Sequence, residues 1–203
     1  MDESKYTADM RGYLAKYIDI AQKIIKAPSE FYHDMPKSGG FIEPLTFMIV
    51  MGIVAGIVRS VLGILGIGMS IPFSASLASI VIVPFFAGIF GFIGAAILLF
   101  IWKSMGSQEP YEVAFRCLAY AAAITPVTAV LHVIPYAGHI VGLVWMTYLL
   151  VNASTEVHHI EARRAWMVFG VICAVLAVLS VSTQYASRRM VSRIETLQHQ
   201  MPK

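Results

Sequence analysis

The densest group of side chains that could do chemistry lies between Glu156 and Arg164. Glu156 and His159 are three residues apart, the spacing that metal-binding helices use, and His158 lies between them. A metal site inside a helix bundle needs that motif twice, and the chain has it once. The pattern therefore favours a solvated turn, in which Glu156, His158 and His159 are candidates for binding a lipid or a partner protein.

Arg59 is a second candidate, because it interrupts an apolar segment. It follows Leu45 by 14 residues, so a helix would place it about 21 Å further along. A charge at that depth is costly unless it reaches the headgroups or is paired. Two interpretations stay open: Arg59 snorkels to lipid phosphates, or it binds phosphate in a lipid pathway or groove.

Two further pairs combine titratable side chains at helical or turn spacing. Glu112 and Arg116 are four residues apart in the favourable acid-first order, which predicts a structural ion pair. His132 and His139 flank a predicted turn, and His139 is a candidate proton-sensitive or ligand-binding residue.

Motifs of catalysis are missing from the sequence. It has no glycine-rich phosphate loop, nucleophile elbow, paired cysteine motif or carboxylate dyad. Cys117 and Cys173 lie inside apolar runs, so we expect small buried hydrophobic residues rather than a disulfide or a metal pair. We therefore expect no enzymatic activity, no cofactor and no bound metal.

The elements that must position these residues are membrane-spanning helices. Of 203 residues, 58% are hydrophobic and 13% are charged, whereas soluble chains carry about 25% charged residues. The net charge of +3 is mild, and nucleic acid is not an expected partner. A helix needs about 20 residues to cross a bilayer, and the long apolar stretches of the chain, which carry few charges, predict five such spans. We place them at Leu45 to about Leu65, about Ser79 to Trp102, about Tyr111 to Val133, about His139 to Thr155, and Ala165 to about Thr183.

Glycine and proline define the contacts and interruptions of these spans. Glycines recur at close spacing, and small residues let helices approach closely in lipid. Packing within the chain is the favoured interpretation, with a homo-oligomer through the glycine-rich faces as the alternative. Pro84 and Pro126 should loosen their helices, with Thr125 and Thr128 near the freed carbonyls. Pro135 and Gly138 predict the turn before the fourth span.

The two ends of the chain carry weaker amphipathic patterns. Residues 1–44 are expected to form a cytoplasmic segment with an amphipathic helix at residues 10–25, lying in the membrane interface or packed on the protein's own loops. Residues 184–203 form an amphipathic tail. Ten Lys and Arg residues fall on the N-terminal side and five on the other, which predicts a cytoplasmic N-terminus. With no secretory signal visible, the first span is expected to direct membrane insertion.

Several short motifs resemble the Yip domain family in its prokaryotic branch. They are FYHDMPKSGGFIEPLTF from Phe31 to Phe47, Trp102–Gly106, Ile134–Gly138, and the side chains of Tyr111, Arg116, Tyr120 and Trp145. The resemblance covers about residues 20–185 and implies an all-α, polytopic membrane protein whose Yip domain we place at residues 45–183. It also implies five spans and a cytoplasmic N-terminus. Eukaryotic relatives bind Rab-type GTPases in vesicle traffic, and the resemblance supplies no catalytic residues.

Two functions follow as expectations. The first is a non-enzymatic protein of the inner cell membrane that organises the bilayer or partner proteins, with membrane lipids and other membrane proteins as its partners. The second is a small transporter or lipid-translocating protein, favoured by Arg59 and the in-span prolines.

Overall fold

Residues 3–67 and 73–200 are described by a computed structural model, and every regular element within them is a helix. The all-α prediction is confirmed. The helices are α1 (Glu3–Lys26), α2 (Pro28–Asp34), α3 (Ile42–Ile64), α4 (Phe73–Ser104), α5 (Tyr111–Ala121), a 3-10 helix (Ala122–Ile124), α6 (Thr125–Leu131), α7 (Ala137–Glu156) and α8 (Ala162–Gln200).

Five stretches are long and apolar enough to cross a membrane, as predicted. They are Ile42–Ile64, Ile80–Ser104, Tyr111–Leu131, Ala137–Glu156 and Ala162–Ser187. Because successive spans run in opposite directions, α3, α5 and α8 begin at the end of the bundle where α4 and α7 finish. We call this the polar end. The opposite end, where α3 and α6 finish and α7 begins, is the crevice end.

The third span is broken where proline was expected to loosen it. Pro126 has no N–H and cannot donate to the carbonyl of Ala122, four residues earlier. The Thr125 hydroxyl donates to that carbonyl instead, at 2.8 Å, and the chain passes through the 3-10 turn before α6 begins. The expected role of Thr125 is confirmed.

The glycines of the first two spans pack against side chains of the same molecule. Gly52 lies against the backbone of Pro84, while a Cβ on Gly91 would meet Met48 and one on Gly94 would meet Leu118. α3 and α4 accordingly form the most extensive helix pair, and α8 packs mainly on α7. These glycines therefore contribute to helix packing within the chain, which is the interpretation that the sequence favoured.

The described part of α1 packs one face on the bundle. Ile24 is fully buried, and the ring of Tyr17 meets Phe47 edge-on with centroids 5.9 Å apart. Ile18, in the same predicted apolar stripe, is 55% exposed. The helix is present, and its position in a membrane interface stays a prediction. The predicted tail is also helical as far as Gln200, because α8 continues through it.

The turn before α7 differs in detail from the prediction. Gly138 lies in the first turn of α7, and the positive φ of 61° falls on Tyr136. Gly138 is needed for a different reason: a Cβ there would clash with the carbonyl oxygen of Leu131. Close approach of α6, rather than reversal of the chain, requires glycine at this position.

Candidate functional site

The candidate residues divide between the two ends of the bundle. Five of them, Glu112, Arg116, Glu156, His158 and His159, lie at the polar end, where α5 begins and α7 finishes. Arg59 and His139 lie at the crevice end, near the last turns of α3 and the first turn of α7. The candidate residues therefore form two separate groups, one at each end of the bundle.

Glu112 and Arg116 hold the loop that enters α3. Arg116 is 1% exposed, and its Nη1 donates to the carbonyl of Gly40 at 2.9 Å, while the N–H of Gly40 donates to Glu112 Oε1 at 2.7 Å. The two charged groups are 4.0 Å apart. Gly39 and Gly40 have φ of 122° and 78°, a backbone region that favours glycine. The predicted ion pair is present, and it holds this loop in place.

Glu156 joins α2 to the end of α7. Its carboxylate accepts a hydrogen bond from Ser29 Oγ at 2.7 Å and lies 3.5 Å from His33 Nδ1. His159 is exposed with φ of 53° and does not share these contacts. Over residues 3–67 and 73–200 no cluster of three or more metal-binding side chains occurs. Glu156 and His159 thus have separate surroundings.

His158 is buried in the interior of the polar end. Its Nδ1 lies 2.7 Å from Ser107 Oγ, its ring stacks on Trp102 with centroids 3.9 Å apart, and its Nε2 is 4.0 Å from Cys117 Sγ. The N–H of Glu109 donates to the same Ser107 hydroxyl at 3.2 Å, so this hydroxyl links the His158 ring to the loop before α5. Burial, followed by the charge of Lys37, lowers the pKa of His158 to about 3.

Several residues of this cluster were missed by sequence reasoning. Trp102 donates from Nε1 to Ser154 Oγ at 2.8 Å, and Lys37 binds both Glu109 at 2.7 Å and the carbonyl of Val157 at 3.1 Å. A tryptophan at the polar end of an apolar run was the available signal, since indole N–H groups need a partner when buried. Lys37 and Glu109 are 72 residues apart, so spacing could not connect them.

The crevice end places two histidines together. The rings of His132, in the loop after α6, and His139 stack with centroids 4.0 Å apart and planes 12° apart. Nδ1 of His139 is buried and has no hydrogen-bond partner among the described residues. Burial, and then the neighbouring His139 and Arg59, lower the pKa of His132 to about 4. Arg59 is exposed, and its charge is the last of the three causes that lower the pKa of His132.

The histidine pair borders a cavity of about 620 Å³ between α6, α7 and α8. We call it the crevice. Most of its polar lining lies near the crevice end and most of its apolar lining lies deeper in the bundle, although Thr125 lies about 10 Å deeper than His132, beside Ile124. The polar residues are Thr125, Thr128, His132, His139, Ser180, Thr183 and Gln184, and the apolar side chains are those of Ile124, Leu143, Met146, Leu176 and Leu179.

The three threonine hydroxyl groups of the crevice already donate to backbone carbonyls. Thr128 donates to the carbonyl of Thr125 at 3.0 Å, and Thr183 donates to that of Leu179 at 2.8 Å. Gln184 accepts from the N–H of Tyr136 and donates to Ser180 Oγ. Donors for a ligand must therefore come from the Ser180 hydroxyl, the imidazoles and Arg59. The α8 residues of this lining were missed, although 180, 183 and 184 have the spacing of one helical face.

The fold defines a multi-pass, all-helical membrane protein. Its polar end is held together by hydrogen bonds and ion pairs, and its crevice end contains a cavity. The Yip1 domain family model matches residues 23–183, and the chain belongs to this family. Neither the curated proteins nor the solved structures compared with the chain contain a match.

Proposed function

We propose that this protein organises the bilayer or partner proteins in a membrane and has no enzymatic activity. The observation that carries the proposal is the outward orientation of α4 and α8. In the most apolar stretch of each span, 17% of the residues of α4 and 11% of those of α8 are buried. The corresponding share for Tyr111–Leu131 is 67%. Phe90 on α4 and Val178 on α8 are 58% and 65% exposed, so both helices offer apolar faces to neighbours in the membrane.

Photo-crosslinking in native membranes tests this role. A photoreactive phenylalanine analogue is placed at Phe90, at Val178 and, as a control, at Phe169 of α8, which is 2% exposed. We expect adducts with a second copy or another membrane protein from the exposed positions, identified by mass, and none from Phe169. Adducts with lipid alone from both exposed positions would count against partner binding through these faces.

We further propose that the protein lies in the inner membrane of a prokaryotic cell with its N-terminus in the cytoplasm. The excess of Lys and Arg on the N-terminal side supports this orientation. Under it, the polar end faces the cytoplasm and the crevice end faces outward. In intact spheroplasts, an epitope tag at residue 1 should resist an impermeant label, and a tag at residue 135 should accept it. The reverse pattern would mean that the orientation is inverted.

Lipid translocation is the second candidate, and the crevice is the observation that favours it. Polar side chains inside the span region are typical of transport pathways. In reconstituted vesicles, Arg59→Leu should slow the exchange of a fluorescent lipid between leaflets if the crevice conducts lipid. An unchanged rate would leave the organising role as the better account.

A further inference from the structure

The crevice has the polarity profile of an amphiphile. On α7, His139 is followed seven residues later by Met146, about 10 Å deeper at 1.5 Å per residue. On α8, Gln184 and Leu176 are eight residues apart, which gives a similar depth of about 12 Å. Leu176 and Leu179 are 44% and 56% exposed, so the apolar floor opens sideways toward the lipid-facing surface. A membrane lipid could enter along this side without crossing a polar barrier.

The groups at the mouth are arranged for an anion. Arg59 is exposed and lies outside the residues that line the crevice, and it takes part in none of the hydrogen bonds or ion pairs found over residues 3–67 and 73–200; its charge helps to lower the pKa of His132 at the mouth. His139 Nδ1 is buried without a partner in that same part of the chain. A guanidinium and two imidazoles favour phosphate oxygens, because charge-assisted hydrogen bonds to such oxygens are strong.

We propose that the crevice binds one phospholipid of the surrounding bilayer, with its phosphate at Arg59, His132 and His139 and an acyl chain on the floor formed by Leu143, Met146 and Leu176. The source is a lipid rather than free phosphate because the deep half of the cavity is mostly apolar, with Thr125 as its polar side chain, and opens to the membrane. The proposal deepens the lipid-translocating candidate, on which it rests, by naming the site and the ligand. It concerns binding, which is measured apart from exchange.

The test uses the full chain in detergent and three probes, with bound mass read by native mass spectrometry. Dioctanoyl phosphatidic acid carries both phosphate and chains, dioctanoylglycerol lacks the phosphate, and inorganic phosphate lacks the chains. We expect phosphatidic acid to bind roughly tenfold more tightly than either of the others, since each lacks one half of the ligand.

Matched variants separate the headgroup site from the floor. Arg59→Gln and His139→Phe should each weaken phosphatidic acid binding roughly tenfold, and the second keeps the ring stack while removing the nitrogens. Arg163→Gln, an exposed arginine at the polar end, is the control. Leu176→Trp should fill the floor and abolish binding, whereas Val175→Trp, next to it and outside the lining, should leave affinity within about twofold.

The possible outcomes separate the site from the transport function. Equal binding of dioctanoylglycerol and phosphatidic acid, or equal effects of the two tryptophan variants, would overturn the site. Inorganic phosphate that binds as tightly as phosphatidic acid, with the same loss in Arg59→Gln, would overturn the lipid source. Selective phosphatidic acid binding without lipid exchange in vesicles would support the site while the translocation function fails.

Discussion

Arg116 and Arg59 lie at opposite ends of one helix bundle and have opposite surroundings. Arg116 is buried and donates to the Gly40 carbonyl beside Glu112, whereas Arg59 is exposed beside the histidine pair. The histidines differ in the same way: His158 is bonded to Ser107 and stacked on Trp102, whereas His139 lines the crevice and its buried Nδ1 has no hydrogen-bond partner among the described residues. Polar groups that bind one another stabilise the fold, and polar groups beside a cavity are available for a ligand.

The largest effect on stability should come from removing the buried guanidinium. Arg116→Met leaves Glu112 and the Gly40 carbonyl without their cationic partner, so unfolding should become easier by about 3 kcal/mol. Arg59→Met, the same change at the crevice end, should alter stability by less than about 0.5 kcal/mol. Thermal unfolding of both variants in one detergent measures the difference, and equal losses would remove the distinction between the two ends.

A second change tests the close contact that shapes the crevice end. Gly138→Ala forces a methyl group against the carbonyl of Leu131, so α6 and α7 must separate at a cost of about 1–3 kcal/mol. Gly170 on α8 has no such neighbour, and Gly170→Ala should be neutral or stabilising by up to about 1 kcal/mol. A lower melting temperature for Gly138→Ala alone is expected; a similar result for both would indicate a general glycine effect.

Acid should weaken the polar end through His158. Its folded-state pKa is lowered to about 3, whereas an unfolded histidine titrates near 6.5. The unfolded chain therefore binds more protons between these values, and stability falls as pH drops below about 6.5. Lys37, Lys103 and His159 all oppose protonation of the folded ring.

Melting temperatures at pH 7 and pH 5 measure this effect. His158→Phe keeps the stacked ring on Trp102 and removes the titrating group, so the variant should lose less stability between the two pH values than the natural chain. An identical pH dependence in both proteins would show that other groups control it.

The smallest effect concerns one hydrogen bond at the polar end. Trp102→Phe keeps an aromatic ring beside His158 but removes the donor to Ser154, which should cost about 1 kcal/mol. Trp166 is 46% exposed, and Trp166→Phe should change stability little. Parallel thermal unfolding of the two variants measures the contribution of this hydrogen bond to stability. A loss of stability confined to Trp166→Phe would contradict the assigned role of Trp102.

Much of the fold could be predicted because lipid imposes a strong constraint on sequence. Long charge-free stretches must be helices, so the five spans agree with the structure to within a few residues. The Glu112–Arg116 pair was also predictable, since both residues lie on one helix. The Gly138 turn was predicted less well, because a close approach to Leu131 and a positive φ both favour glycine, and sequence does not separate the two.

The sequence alone determined the number of spans, the helical class and the side chains that carry charge. Only the tertiary structure decided which of those side chains are bonded and which face a cavity. His158 contacts Ser107, 51 residues away in the sequence, and Ser180 and Gln184 line the same cavity as the histidine pair. The physical reason is that hydrophobic patterning specifies which segments enter the membrane, whereas the packing of helices against one another specifies which of their faces meet.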